Sequence, residues 1–334
     1  MNHTADENVQ DDPPPTALSY RVVGVIGLVA AGINIFILSV FFSSRRLLTT
    51  SALLVGLTIG HACNGLVHSM YAFWSGEYQS FMVSPLYCIK VIWPNLFITT
   101  YQLLPLLLAL AGTERLLALV APVWYRNKCT NRRLWILTMV AFTHTPVSLG
   151  INWLLAWLNS MGQVISASCI PPFITGVPYV IYGVHVPAAL GGVWATLCTA
   201  VGVHIGRGKM KKMPTTSKGE IARVNKQIRL AQCLLMISSI DVACVVIPNV
   251  VLALLNSQII FFPMSHTIYL VGVYLSDSVL NIVAFILFNQ EFRTTSMQLL
   301  RLGKSSDAVV PMTNEGSTSI RRNLNGSTSC KADT

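Results

Sequence analysis

Residues 91–126 read VIWPNLFITTYQLLPLLLALAGTERLLALVAPVWYR, an apolar run that closes on two opposite charges, Glu114 and Arg115. The run is long enough to cross a bilayer core of about 30 Å as a helix. A bilayer offers no water to unpaired backbone groups, so a spanning segment of this kind must be helical. An ionisable pair at membrane depth is costly and indicates a function. The alternative interpretation is an arginine at the interface whose long side chain reaches the headgroups.

The rest of the chain repeats this apolar pattern. Of its 334 residues, 53 % are hydrophobic and only 11 % are charged, whereas soluble domains carry about a quarter charged residues. We therefore expect an all-α integral membrane protein with a seven-transmembrane helix bundle. The predicted spans cover residues 20–42, 51–75, 88–120, 134–158, 177–205, 229–255 and 265–288.

Basic residues predict the orientation of the bundle. All of the 23 Lys and Arg residues except Arg21 and Lys90 fall on one side of the predicted spans. Because short basic loops remain in the cytoplasm, the N-terminus is expected outside and the C-terminus inside. The net charge of +10 then reflects inner loops that face anionic lipid, and it requires no nucleic acid. We expect an extracellular segment 1–17, a membrane domain 18–300 and a disordered cytoplasmic tail 301–334.

Two cysteines lie on the predicted outer side, Cys88 and Cys169. The extracellular space is oxidising, so these two thiols are expected to form a disulfide. The alternative is a pair of free, buried thiols. On the same side, Asn2 begins the sequence Asn-His-Thr, which predicts a glycosylation site.

The end of the long apolar run resembles the end of the third helix in rhodopsin-like G-protein-coupled receptors. Glu114 and Arg115 match their acidic residue and arginine, and Pro122 and Tyr125 match their proline and tyrosine at the same spacing. Leu116 replaces the usual tyrosine. The resemblance implies that Arg115 is locked to Glu114 and to the sixth helix at rest. On activation it would be freed to contact a heterotrimeric G protein.

A second segment, NIVAFILFNQEFR at 281–293, resembles the end of the seventh helix in the same family. Asn281, Phe292 and Arg293 match the family motif, whereas Phe285 replaces a tyrosine and the usual proline is absent. Phenylalanine cannot donate a hydrogen bond, so the water-bridged contact of the family is not expected at Phe285. The resemblance also implies a short amphipathic eighth helix near the end of this segment, spanning residues 289–300.

Polar residues inside the predicted spans suggest a buried cluster. Asn34 resembles the polar asparagine of the first helix, and His61 stands where the family places a sodium-binding aspartate. Asp277 lies one turn before Asn281, so both face the same side. We hypothesise that these four residues form a polar cluster with a histidine–carboxylate pair in place of the sodium site. Asp241 is a further mid-membrane acid assigned to this set, and the alternative is that water or backbone satisfies each residue separately.

A ligand pocket is expected between the outer halves of helices three, five, six and seven. Ordinary helix packing and the aromatic belt of the membrane interface are the alternatives for these residues. No metal-ligand spacing or nucleophile motif occurs, so neither an enzyme nor a cofactor is expected. The candidate pocket residues are Trp93, Asn95, Tyr101, His185, Tyr269 and Tyr274.

Two short segments point to a subclass. SCIPPFITG at 168–176 is similar to the Cys-x-Pro-Pro run of nematode serpentine chemoreceptors of class sx, and the Glu-Phe-Arg at 291–293 resembles their Glu-Tyr-Arg. This likeness implies a receptor whose ligand is a small molecule or peptide. The receptor itself would lie in the plasma membrane, which includes the membrane of a sensory cilium. The Ser- and Thr-rich tail suits a receptor kinase and arrestin.

Other classes of membrane protein fit the sequence less well than a receptor. A transporter or channel would account for acids and histidines inside the membrane, but the chain shows no internal repeat and an odd number of spans. A retinal photoreceptor needs a lysine in the seventh helix, and none occurs between Lys226 and Lys304. A non-signalling accessory receptor or heteromer partner stays open because of the altered seventh-helix motif.

Overall fold

The computed structural model describes residues 17–78, 80–160, 163–212, 218–260 and 264–301. The predicted glycosylation site Asn2 lies outside the described residues. So do nearly all of the predicted extracellular segment and the cytoplasmic tail.

The described residues are almost entirely helical. Two π-helical turns, Ile181–His185 and Val242–Val246, join α10 to α11 and α12 to α13. Two short strands, β1 (Met82–Val83) and β2 (Ile165–Ser166), pair in antiparallel fashion. The helices are α1 (Ala17–Ser43), α2 (Arg45–Thr50), α3 (Ala52–Tyr78), α4 (Pro85–Lys90), α5 (Ile92–Val120), α6 (Pro122–Lys128), α7 (Asn131–Phe142), α8 (His144–Asn159), α9 (Pro171–Thr175), α10 (Val177–Val180), α11 (Val186–Lys212), α12 (Lys218–Asp241), α13 (Ile247–Asn256), α14 (Met264–Phe288) and α15 (Gln290–Arg301).

Seven helical segments of the described chain are long and apolar enough to cross a membrane, which confirms the predicted all-α seven-helix bundle. The chain is therefore a multi-pass membrane protein. In chain order, the first to seventh spans are Leu18–Ser43, Ala52–Tyr78, Ile92–Val120, Asn131–Asn159, Val177–Lys211, Val224–Asn256 and Tyr269–Phe288.

The third span begins later than its apolar run predicted. Helix α4 ends at Lys90, and Val91 is extended with φ −76° and ψ 138° before α5 begins at Ile92. Pro94 in the first turn of α5 explains the restart, because a proline there loses no helical hydrogen bond. The third span therefore begins at Ile92, four residues after the predicted start at residue 88.

The fourth span also differs from a single continuous helix. It consists of α7 and α8, which meet at Thr143. Pro146 falls in the first turn of α8. Its missing N–H and its ring interrupt the backbone hydrogen bonds that would continue α7. The fifth and sixth spans continue past the predicted limits at residues 205 and 229, because a helix that leaves the membrane can carry charged residues in water.

The two ends of the bundle differ in chemistry. One end carries Glu114, Arg115 and α6, and we call it the basic end. The opposite end, the disulfide end, holds the Cys88–Cys169 disulfide with an S–S distance of 2.05 Å. This bond ties α4 to the segment before the fifth span, and the Trp74 indole N–H donates to the Ala167 carbonyl at 2.8 Å beside it. The disulfide expected from the sequence is thus present in the structure.

Candidate functional site

Glu114 and Arg115 form a close ion pair inside the basic end. Their side chains are only 5 % and 9 % exposed. Arg115 Nε lies 2.6 Å from Glu114 Oε2, and Arg115 Nη2 donates to Glu114 Oε1 at 2.8 Å. Adjacent residues on a helix do not face each other, so the arginine side chain folds back to make this two-point contact. Such a bidentate pair is stronger and more directional than a single charged hydrogen bond.

Two more residues join the ion pair to neighbouring elements. Arg115 Nη1 donates to Gln227 Oε1 of the sixth span at 3.1 Å. The Tyr125 hydroxyl of α6 donates to Glu114 Oε1. Burial raises the pKa of the Tyr125 phenol, and the negative charge of Glu114 raises it further. Tyr125 therefore keeps its proton, and a single network links the third span, α6 and the sixth span.

A cavity of about 510 Å³ lies beside this network at the basic end. Arg115, Tyr125 and Gln227 contribute to its wall. Lys209 of the fifth span also lines it and donates to the carbonyls of Leu119 and Val120 at 2.9 and 2.8 Å. These carbonyls end the third span and lack helical partners, so Lys209 fixes the fifth span against it. Pro122, the other predicted switch residue, begins α6, which carries Tyr125, and lines the same cavity.

The seventh-helix motif divides into two parts. Phe285 and Phe292 pack against Phe41, with ring centroids 5.6 and 5.8 Å from that residue and 5.2 Å from each other. Phe285 thus fills an aromatic cluster that holds α15 against the first and seventh spans. Arg293 is exposed on α15, and Asn281 lies elsewhere, in the polar cluster.

The predicted polar cluster is centred on His61. His61 Nδ1 lies 3.0 Å from Ser278 Oγ and 3.4 Å from Asp277 Oδ2. On the other side of the ring, His61 Nε2 lies 3.2 Å from Asn281 Nδ2. Asn34 Nδ2 donates to the Ser278 carbonyl at 3.0 Å. The structure therefore brings the four hypothesised residues together through Ser278, which sequence reasoning missed.

Asp241 does not join this cluster by a hydrogen bond. Its Oδ2 atom has no hydrogen-bond partner among the described residues. That atom lies against Gly192 of the fifth span, where a Cβ atom would overlap it. Asp241 therefore occupies a space between the fifth and sixth spans. It stays outside the hydrogen bonds of the His61 cluster, although its carboxyl group interacts electrostatically with Asp277. The described part of the chain shows no group of three or more His, Cys, Asp or Glu residues that would hold a metal ion.

A second cavity, of about 380 Å³, lies at the disulfide end. Of the six candidate pocket residues, Tyr101 and His185 line it. Most of the wall is apolar and aromatic, as is usual for small-molecule sites. Pro171 and Pro172, from the Cys-x-Pro-Pro segment, contribute to the same wall, so this segment is placed beside a pocket.

The other four candidates lie outside the wall of this cavity, and their assignment to it is corrected. Trp93 is 1 % exposed and packs on Tyr71, with ring centroids 5.0 Å apart. Asn95 donates to backbone carbonyls at the start of the third span. Tyr274 is stacked on Tyr101 at 4.4 Å, whereas Tyr269 is 64 % exposed at the start of the seventh span.

His68 is a residue of this region to which the sequence assigned no role. Its Nδ1 atom lies 2.8 Å from the Asn64 carbonyl, and its Nε2 atom lies 3.2 Å from the Tyr101 hydroxyl. Its ring also stacks on Tyr274 at 5.4 Å. His68 therefore holds Tyr101, which lines the cavity, and Tyr274, which packs behind it.

The fold and these sites define a seven-helix, multi-pass membrane protein with cavities near both ends. No protein-family model matches the chain, and no curated protein matches its sequence.

Proposed function

We propose that the chain is a G-protein-coupled receptor for a small molecule, of the chemosensory type. Its ligand would bind in the cavity of the disulfide end, and a heterotrimeric G protein would bind at the basic end. The observation that carries the proposal is that Arg115 is hydrogen-bonded to two side chains at once. Glu114 neutralises this buried arginine, and Gln227 connects it to the sixth span.

This arrangement is suited to a two-position switch. A buried charge pair is costly to separate without new partners, so the network favours discrete packings over gradual ones. If the sixth span moves away from the third, Arg115 loses Gln227 and can turn its guanidinium group into the cavity that it lines. The basic inner loops around that cavity would complete the docking surface for the G protein.

The sixth span also connects the two cavities. At the disulfide end, His185 Nδ1 lies 2.6 Å from Asn249 Oδ1 of the sixth span. At the basic end, the same span carries Gln227. A ligand shifts such an equilibrium only when it binds one packing better than the other. A ligand that contacts His185 would bind the two packings with different affinity if the fifth and sixth spans separate or rotate.

The proposal is tested by nucleotide exchange on a panel of G proteins in cells, with surface levels matched through an N-terminal tag. Glu114→Gln removes a charged hydrogen bond worth about 1.5–3 kcal/mol. We expect it to raise ligand-free exchange by about tenfold. We expect Arg115→Ala to lower exchange to the background level, because the residue that would meet the G protein is gone.

Arg132→Ala serves as the matched control, because Arg132 is an exposed arginine at the same end. It should behave as wild type. Equal exchange by wild type, Glu114→Gln and Arg115→Ala would contradict the proposal. A wild type that reaches the surface but activates no G protein would favour the non-signalling partner receptor, for which the packed, hydroxyl-free Phe285 is the specific observation.

The proposal extends to location and partners. A chemosensory receptor would lie in the plasma membrane, including a sensory cilium. The Ser- and Thr-rich tail beyond Arg301 would be the substrate of a receptor kinase and a docking segment for arrestin. These residues lie outside the described part of the chain.

A further inference from the structure

A chain of hydrogen bonds fixes the chemistry of His185 at the wall of the disulfide-end cavity. Asn249 Nδ2 donates to the Val245 carbonyl at 2.8 Å. A carbonyl only accepts, so the amide NH₂ of Asn249 faces Val245 and its Oδ1 faces His185. Asn249 Oδ1 also only accepts. The 2.6 Å contact to His185 Nδ1 therefore requires a proton on that nitrogen.

The second ring nitrogen of His185 is then an acceptor. His185 is 6 % exposed, and an unpaired charge at such a site is costly. No Asp or Glu occurs among the described residues that line the cavity, so the neutral imidazole is favoured. With its proton on Nδ1, the ring presents an accepting lone pair at Nε2. The nearest donor is Asn256 Nδ2, at a long 3.4 Å.

Three tyrosines line the cavity. Tyr20 and Tyr71 hydrogen-bond to each other, and the Tyr101 hydroxyl does not offer its proton to a ligand. His68 Nδ1 faces the Asn64 carbonyl and therefore carries the proton of that ring. His68 Nε2 then accepts from the Tyr101 hydroxyl at 3.2 Å. The described wall also carries no Lys or Arg. Asn256 and Gln258 add side-chain amides to the wall. The cavity thus combines a mainly apolar lining with a weakly satisfied acceptor at His185 Nε2 and no Asp, Glu, Lys or Arg among its described wall residues.

We propose that this cavity binds an uncharged, mainly apolar molecule that carries one hydrogen-bond donor, such as an alcohol hydroxyl. The donor replaces Asn256 and bonds to His185 Nε2. The prediction that such a ligand triggers a receptor response rests on the proposed function. Binding itself is measured without a G protein.

His185 also gives the ligand a route to the sixth span. It lies in the π-helical turn Ile181–His185, and its partner Asn249 donates to Val245 in the π-helical turn Val242–Val246. Single π-turns of this kind are frequent at functional sites. A donor at Nε2 releases Asn256 from His185 and polarises the bond to Asn249. Both contacts join the fifth span to the sixth.

The test uses the full chain in lipid nanodiscs with ¹⁵N-labelled histidine. The probes are n-decanol, methyl n-nonyl ether and n-decylammonium. The alcohol and the ether have the same number of non-hydrogen atoms, and only the alcohol has a donor. The His185 resonances are assigned by their loss in His185→Phe. In the ligand-free protein we expect Nδ1 protonated and Nε2 unprotonated.

On titration, n-decanol should shift the Nε2 resonance and bind roughly tenfold tighter than the ether, the scale of one hydrogen bond. The ammonium probe should not bind. Leu252→Ala, which alters an apolar part of the wall, should weaken the alcohol and the ether equally. His185→Phe should remove the difference between them.

A second variant should remove the preference for the alcohol. In Asn249→Asp, a carboxylate faces His185 Nδ1 and stabilises the imidazolium, which makes Nε2 a donor. The ether should then bind at least as tightly as the alcohol. A wild type that binds both probes equally, that binds none of the three, or that is protonated at Nε2 overturns the proposal. Donor-selective binding without G-protein activation would support the ligand class and refute the proposed function alone.

Discussion

At the scale of single residues, His61 determines how polar groups are satisfied in the middle of the bundle. Its ring nitrogens reach Ser278 and Asp277 on one side and Asn281 on the other. The sequence predicted that Asp277 and Asn281 share a face, because they are one turn apart. It gave no sign of Ser278, since a serine inside an apolar span usually bonds to its own helix.

We expect His61→Ala to destabilise the folded protein by about 1–3 kcal/mol, because Asp277 and Asn281 would lose a buried partner. Asp277→Asn should cost less, since an amide still bonds to the ring. Because the two residues are in contact, the double variant should cost less than the sum of the single variants. Thermal unfolding of purified protein in detergent measures all three.

His144→Ala is the control for this cycle, since His144 lies in the fourth span, away from the cluster. It should not show coupling to Asp277→Asn. Strict additivity of His61→Ala and Asp277→Asn, with unchanged surface expression and signalling, would contradict the cluster.

At the scale of elements, small residues set the distance between the first and second spans. Gly27 and Ala31 face Gly65 and Ser69, each pair four residues apart. A Cβ atom on Gly65 would lie 2.7 Å from both the Ala31 nitrogen and the Gly27 carbonyl oxygen. Ser69 Oγ donates to the Gly24 carbonyl at 2.9 Å across the same contact. Small residues at this spacing allow close helix packing in membranes.

We expect Gly65→Ala to lower the stability of the bundle by about 1–3 kcal/mol, because the added methyl group meets backbone that cannot move aside. Gly32→Ala provides the matched control. Gly32 lies in the first span, and nothing lies within 4 Å of an added Cβ atom there. Helix propensity favours alanine by about 1 kcal/mol at both sites. Melting temperatures that fall equally, or not at all, would refute the close packing.

The apolar runs predicted which segments cross the membrane but not how each helix is interrupted. Pro146 is visible in the sequence, yet it does not show whether the fourth span kinks, breaks or continues. The two π-helical turns give no sequence signal, because an extra residue per turn is stabilised by packing. The position of His185 in the cavity wall depends on one of these turns.

At the scale of the whole molecule, the number and order of the spans followed from apolar length alone. The residues that line the cavity could not be predicted in this way, because the rotation of each helix about its axis is set by its neighbours. Trp93 and His185 had equal support as pocket residues, and the structure places only His185 in the wall. Arg115 and Gln227 are in contact although 112 residues separate them in the sequence, and no local pattern predicts which residue is the partner.

The orientation of the bundle gives the last prediction. Basic residues favour the basic end inside the cell, so Cys129, a partly exposed thiol beside α6, should be shielded from the outside. A membrane-impermeant maleimide should label Cys129 only after the cells are permeabilised. Burial raises the pKa of the Cys129 thiol, with the Glu114 charge adding to it. Labelling should therefore speed up as the pH rises and more thiolate forms.

Ser80→Cys is the matched control at the disulfide end, where Ser80 is exposed. It is combined with Cys129→Ser, and both proteins carry Cys330→Ser to remove a thiol outside the described residues. The introduced cysteine should be labelled in intact cells. The opposite pattern would place Arg115 and its cavity outside the cell, where no heterotrimeric G protein is present. A location inside the cell is therefore a requirement for the Glu114–Arg115 network to act as a G-protein switch, whatever the ligand.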